Sequence, residues 1–137
     1  MMSLDEIVET FEFFDSWEDK YRFIIELGKE LPELNDTYKT DDNLVRGCQS
    51  QVWLHYELDE RSTPPNLQLQ MDSDAFIVRG LIHIVTAAYA GKNTAQISAF
   101  DIEALFEQLD LLAHLSATRG NGLRAMVERI QSIANQC

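Results

Sequence analysis

The sequence predicts an α+β domain in which helices pack on a small antiparallel sheet of three strands. Helix-period apolar residues behind a capping pattern open the chain. Two alternating apolar runs, separated by a proline-rich turn, occupy its middle. A long apolar segment interrupted by a single polar stripe follows them. With 137 residues, 45% of them hydrophobic, the chain is long enough to bury one core, and one domain over 1–137 is expected.

The first element is read from Ser3 with Glu6, a capping-box pair, followed by Leu4, Ile7, Val8 and Phe11 at helical spacing, giving a helix over 4–13. Ser16 with Asp19 starts a second helix. Its apolar face is Tyr21, Ile24, Ile25 and Leu27, and Pro32 ends it, so the two helices form a hairpin across Asp15. Residues 33–43 read as a polar loop. In Q-V-W-L-H-Y-E-L (51–58), Val52, Leu54, Tyr56 and Leu58 fall on one face and Trp53 on the other. D-E-R-S-T-P-P-N is a turn, and L-Q-L-Q-M (67–71) returns as the second strand with leucines and methionine inward. The short L-V-R before Gly47 is expected to add the third strand.

Ser73 or Asp74 is expected to cap the next helix and Gly91 to end it. Arg79, His83 and Thr86 recur at spacings of four and three and make its one polar stripe. Phe76, Ile77, Leu81, Ile84 and Val85 are its expected core residues. Short helices around 94–98 and 101–109 lead to a final helix over 118–135. Ser116 is its candidate cap, and Leu123, Met126, Val127, Ile130 and Ile133 form its buried side. Gly120 and Gly122 in its first turns each cost about 1 kcal/mol relative to alanine. Close approach to another backbone or to a partner would account for them, as would a loose helix start.

Charge narrows the partners. Eleven basic and 23 acidic side chains leave a net charge of −12, which repels phosphate backbones and anionic membrane surfaces. Neither nucleic acid nor membrane is therefore expected as a partner, and a protein with a basic patch would be steered in. The start, M-M-S-L-D-E-I-V-E-T, lacks the order of a signal or transit peptide, so a cytoplasmic location is expected. Cys48 and Cys137 are then both expected to be reduced. No metal-ligand spacing occurs, and His55, His83 and His114 are far apart, so no metal site is expected.

That leaves Cys48, the one interior cysteine, in N-L-V-R-G-C-Q-S-Q-V-W-L (43–54). A buried packing cysteine and a reactive thiol are both open readings. Gly47 permits a turn that projects the next side chain, Arg46 is near enough to favour thiolate, and Gln49, Ser50 and Gln51 offer hydrogen-bond donors. A cysteine hydrolase would need His83 or His114 as its base, and nothing in their local sequence marks either for it.

The same run resembles the signature of the SufE family, the sulfur-acceptor partners of cysteine desulfurases, which includes the sister group CsdE. Three further stretches match in order: Y-R-F-I-I-E-L-G-K-E-L-P (21–32), D-S-D-A-F-I-V-R-G-L (72–81) and H-L-S-A-T-R-G-N-G-L-R-A-M-V (114–127). The resemblance runs from about Tyr21 to Ile133. It implies an α+β fold similar in shape to the scaffold protein IscU, with the active cysteine at a loop tip, a position that falls on Cys48.

The chemistry implied is sulfur transfer. A cysteine desulfurase holds sulfur as a persulfide on its own cysteine, and the Cys48 thiolate attacks the outer sulfur while the desulfurase thiolate leaves. Cys48 becomes the persulfide, desulfurase turnover is stimulated, and sulfur passes to a downstream acceptor or cluster scaffold in iron–sulfur cluster assembly. The chain would be an accessory sulfur-transfer protein rather than a stand-alone enzyme. No cofactor is implied for it, since pyridoxal phosphate belongs to the desulfurase. Leu44 and Val45 would shelter the thiol. The matching stretches also draw attention to Asp74, which has the alternative role of helix cap, and to Arg119 and Asn121 as partner-binding or loop-supporting residues beside Arg46, Gly47 and Gln49. A cluster scaffold and a purely regulatory desulfurase-binding protein are the alternative readings. Cys137 lies outside every matched stretch.

Overall fold

A computed structural model of the protein describes residues 2–137. Two helices, α1 (Leu4–Phe13) and α2 (Trp17–Glu30), lead through a loop with two short 3₁₀ turns to the strands β1 (Val52–Asp59) and β2 (Asn66–Ser73). Helices α3 (Phe76–Tyr89), α4 (Thr94–Ala99), α5 (Ile102–Gln108) and α6 (Ala117–Gln136) follow. The caps read from sequence for α1, α2 and α6 are in place. The Ser3–Glu6 capping box is complete, Ser16 accepts from the Asp19 N–H, and Ser116 accepts from the Arg119 N–H.

The sheet has two strands, not three. β1 and β2 pair antiparallel in an unbroken register from Val52 opposite Ser73 to Asp59 opposite Asn66. The expected third strand shrinks to a single bridge between Leu44 and Trp53, plus the Val45 N–H donated to the Val52 carbonyl at 2.8 Å. The turn at Arg46 and Gly47 ends that pairing before a strand can form.

Helix α3 crosses α2 at backbone contact. Gly28 and Gly80 face each other: a Cβ at Gly80 would overlap the Ile24 carbonyl oxygen, and one at Gly28 would overlap the Phe76 carbonyl oxygen. This crossing corrects one expected core residue. Phe76 shares a helix face with Gly80, and two helices in backbone contact leave no room for an aromatic ring between them. The ring therefore lies outside, 57% exposed. Ile77, Leu81, Ile84 and Val85 are buried as expected, together with Ile24 and Leu27 of α2, Val52 and Leu54 of β1, and Leu123, Met126 and Ile130 of α6. Tyr56, expected inward, is 40% exposed, toward the far end of the strand.

Two members of the α3 polar stripe, His83 and Arg79, reach the end of α2, and the third, Thr86, bonds back to the Ile82 carbonyl of its own helix. His83 is fully buried, its Nδ1 2.9 Å from the Leu27 carbonyl oxygen. A carbonyl only accepts, so Nδ1 carries the proton and Nε2 is left without a partner. Arg79 donates to the Gly28 and Leu31 carbonyls and pairs with the buried Asp72 carboxylate. Asp72 in turn accepts the Leu34 N–H at 3.0 Å. The Gly28 and Leu31 carbonyls at the end of α2 thus find their partner in Arg79, and the Leu27 carbonyl, already bonded to the Leu31 N–H, takes His83 as a second one.

Candidate functional site

Cys48 sits in the loop between Val45 and Val52, whose paired backbone groups close its base. Gly47 adopts φ +93°, a left-handed conformation that glycine takes without penalty, and a Cβ added to it would come within 3.2 Å of the Ala125 Cβ of α6. The turn lays Cys48 against α6, half-buried, where its S–H donates to the Gly122 carbonyl at 3.5 Å. A Cβ at Gly122 would stand 3.5 Å from the sulfur and 3.7 Å from the Cys48 α-carbon, in ordinary contact, so the loop packs directly on this turn of the helix.

The far side of the loop is held by Asp74. Its Oδ1 accepts the Gln51 N–H at 3.1 Å, and its own N–H donates to the Gln51 carbonyl at 3.4 Å. Asp74 therefore does not cap α3, as one reading of the sequence had it. The helix starts after Ala75 with no side-chain cap, and Ser73 Oγ accepts the Ala75 N–H instead.

A cleft of about 50 Å³ opens beside the thiol. Val52, Val78, Leu81 and Met126 form its apolar wall, and Gln49, Ser50, Ser116, Thr118 and Arg119 its polar one. Arg119 is fixed there by a 2.9 Å hydrogen bond from Nη1 to the Tyr21 hydroxyl. Of the residues singled out in the sequence, Cys48, Gln49 and Arg119 meet at this cleft. Arg46 and Asn121 are exposed and do not line it, while Gly47 and Asp74 act on the loop from outside it. Leu44 and Val45, expected to shelter the thiol, instead anchor the base of the loop. The shelter comes from the apolar wall, contributed by β1, α3 and α6, which no local sequence signal groups together. Gly122 did leave a signal, as a glycine inside a helix.

Electrostatically, burial pushes the Cys48 thiol above its ordinary value. Arg46 stands exposed and forms no ion pair among the described residues, so the thiolate help expected from it does not set the balance. Neither candidate base reaches the cysteine. His83 is bonded to Leu27 in the core, and His114 stacks on Trp17 with ring centroids 4.0 Å apart. Among the described residues no three His, Cys, Asp or Glu side chains gather as a metal-binding group. Cys137 is exposed at the end of α6. No helix among the described residues is long and apolar enough to cross a membrane.

Comparison with known proteins places this geometry in a family context. The family model described as SufE, Fe-S metabolism associated domain, matches residues 5–134. The chain is 47% identical over 134 residues to a SufE-like protein of Rhizobium meliloti (strain 1021), covering 98% of this chain and 96% of that one. It is 48% identical over 134 residues to a SufE-like protein of Rhizobium etli, covering 98% and 90%. In structure it is similar to a hypothetical protein from Thermus thermophilus known in solution. The TM-score is 0.74 at 16% identity, with 98% of this chain and 97% of that one covered, which is a likeness of fold.

Proposed function

The chain belongs to the SufE family, and we propose that it is the sulfur acceptor of a cysteine desulfurase, with Cys48 as the residue that carries the sulfur. The observation that carries this reading is the setting of Cys48: a single thiol on a glycine turn, lightly held and beside a cleft with no imidazole. A hydrolase needs a base at that point, whereas a carrier needs only a thiol that another protein can reach.

In the proposed step the Cys48 thiolate attacks the outer sulfur of the desulfurase persulfide. A sulfur–sulfur bond forms at Cys48, the bond within the donor persulfide breaks, and the desulfurase thiolate leaves. No electrons are gained or lost overall. The product is a Cys48 persulfide, ready for a second exchange with a downstream acceptor or scaffold of iron–sulfur cluster assembly. At rest the thiol is protonated and turned toward Gly122, which limits its oxidation between encounters. Docking of the desulfurase draws the loop out, which means giving up the Gly122 and Asp74 contacts. The cleft of about 50 Å³ has room for the second sulfur, since a water needs roughly 10–15 Å³ by the same measure. Arg119, a cation on the cleft wall, is placed to meet the partner or to steady the anionic persulfide. Such a protein works in the cytoplasm, where its thiols stay reduced.

Intact-mass measurement after incubation with a cysteine desulfurase and cysteine tests the reading, beside Cys48→Ser and Cys137→Ser. The expected result is a gain of one or more sulfur atoms that reduction removes and that only Cys48→Ser abolishes. Faster desulfurase turnover with no added sulfur would leave a regulatory binder instead. Charge reversal at Arg119 adds a second check: unchanged stimulation of the desulfurase would remove that residue from the interface.

A further inference from the structure

Arg119 enters the Cys48 cleft as a cation without a counterion. Its side chain makes one hydrogen bond, the 2.9 Å contact to the Tyr21 hydroxyl, and it belongs to no ion pair among the described residues. Arg22, Arg61, Arg79 and Arg124, by contrast, each meet a carboxylate. The chain has 23 acidic side chains to draw on, yet this partly buried guanidinium takes none of them. It is free to meet an anion in the cleft.

Tyr21 decides where that cation points. It lies on α2, packed against the core, and α2 is itself fixed by its backbone contact with α3. A tyrosine ring has little rotational freedom and an arginine side chain has much, so the bond between them fixes the arginine. Arg119 is the one charged side chain lining the cleft, and Tyr21 stands behind it, outside the lining. Arg46 and Asp74, the charged groups to either side of the cysteine loop, also lie outside. The resting thiol donates to the Gly122 carbonyl, an acceptor that a sulfur anion cannot bond. A second sulfur lengthens the side chain by one bond of about 2 Å and carries the negative charge with it. That charge leaves the carbonyl behind and meets the cleft, whose cation is Arg119.

We propose that Tyr21 is a positioning residue for sulfur transfer at Cys48: its hydroxyl aims the Arg119 guanidinium into the cleft, where the cation meets the charged outer sulfur of the loaded cysteine. The inference rests on the reading of Cys48 as a sulfur carrier. After loading, the outer sulfur gives its proton to solvent and stays as an anion beside Arg119, which draws the exchange toward the loaded carrier. The unloaded thiol gains nothing from the guanidinium, since burial is what moves it from its ordinary value. Tyr21 therefore acts on the persulfide and not on the thiol.

The test uses the full chain carrying Cys137→Ser, which leaves Cys48 as its only thiol. Cys48 is loaded with inorganic polysulfide: its thiolate takes a terminal sulfur, a sulfur–sulfur bond of the polysulfide breaks, and the shortened polysulfide leaves. Loaded and unloaded chains are alkylated with iodoacetamide across a pH series, iodide leaving, and intact mass separates the two products. Tyr21→Phe, which keeps the ring and its packing, is expected to raise the pH midpoint of the persulfide by about half a unit or more and to leave that of the thiol in place. Arg119→Gln should raise the persulfide midpoint at least as far. Adding Tyr21→Phe to it should change nothing more, because the hydroxyl acts only through the guanidinium. The proposal is overturned if the persulfide midpoint stays put in Tyr21→Phe, or if the two substitutions add in full. It is equally overturned if thiol and persulfide midpoints move together, which would mark altered packing, or if polysulfide leaves no sulfur on Cys48. A Cys48 that loads from polysulfide but takes nothing from a desulfurase and cysteine would overturn the carrier reading, and this proposal with it, whatever the midpoints.

Discussion

The α2–α3 crossing and the cysteine loop are held by opposite means. At the crossing, two backbones touch through Gly28 and Gly80, His83 and Arg79 bind carbonyls of α2, and Arg79 pairs with the buried Asp72 carboxylate. At the loop, a 3.5 Å contact from sulfur to the Gly122 carbonyl and the pairing of Asp74 with Gln51 restrain the tip. Buried polar pairs and backbone contact are concentrated at the crossing, and Cys48 sits on a segment that few contacts hold. Changes at the crossing should therefore act on unfolding, and changes at the loop on reactivity.

The largest effect is expected at Arg79. Replacing it with methionine leaves the buried Asp72 carboxylate with the Leu34 and Ser73 N–H groups and with Lys39, at 3.6 Å, as its one cation, and strips Arg79 from the end of α2. Breaking a buried pair from one side costs about 3–5 kcal/mol, and urea denaturation should show a loss of that size. If the loss is under 1 kcal/mol, the crossing does not hold the fold in the way argued. Gly80→Ala comes next. Its Cβ meets the Ile24 carbonyl, which belongs to a backbone and cannot swing aside, so a loss of about 3 kcal/mol is expected in the same assay. Neither variant, where still folded, should change the rate at which Cys48 reacts with iodoacetamide.

How far each region could be read in advance follows the same division. Caps, helix spans and the β-hairpin obey local rules, and they stand in the structure within a residue or two of where Ser3, Ser16, Ser116 and the alternating runs put them. Phe76 was misjudged because an apolar residue next to a core face is normally buried, and only the tertiary contact at Gly80 turns it out. The third strand failed because Gly47 spends its conformational freedom on the cysteine turn, which cuts the pairing to one bridge. The candidate site was legible at its centre, where glycine, cysteine and their polar neighbours are contiguous. Its apolar wall was not, because Val52, Val78 and Met126 come from three places in the chain and look like ordinary core residues, and Arg119 on the polar side stood out only through the family resemblance.

A smaller effect is expected at Asp74. Asp74→Ala removes the acceptor of the Gln51 N–H, an exposed hydrogen bond of about 1 kcal/mol. Global stability should fall by no more than that. Cys48 alkylation at neutral pH should rise by about fivefold, the kinetic equivalent of the same free energy if loop opening limits the reaction. An unchanged alkylation rate would mean that Gly122 and the apolar wall hold the loop without Asp74.

The smallest effect, and the one of opposite sign, is expected at Gly122→Ala. The added methyl meets the sulfur at ordinary contact distance, so nothing is forced apart. Alanine also removes a helix-interior glycine, which should raise stability by about 0.5–1 kcal/mol. Reactivity should move the other way, because the methyl takes more water from a thiol that burial already disfavours as thiolate. In the native protein the pH midpoint of Cys48 alkylation should lie above the ordinary thiol value, higher still in Gly122→Ala, and lower in Asp74→Ala. The same upward shift fixes the stability profile: the folded thiol keeps its proton longer than the unfolded one. The stability it contributes is therefore complete below the ordinary thiol range, roughly pH 8.5, and is lost as pH rises through the folded value. If Gly122→Ala instead raised the reactivity of Cys48 without lowering stability, the contact with Gly122 would be holding the thiol in, and desolvation by the added methyl would not decide its reactivity.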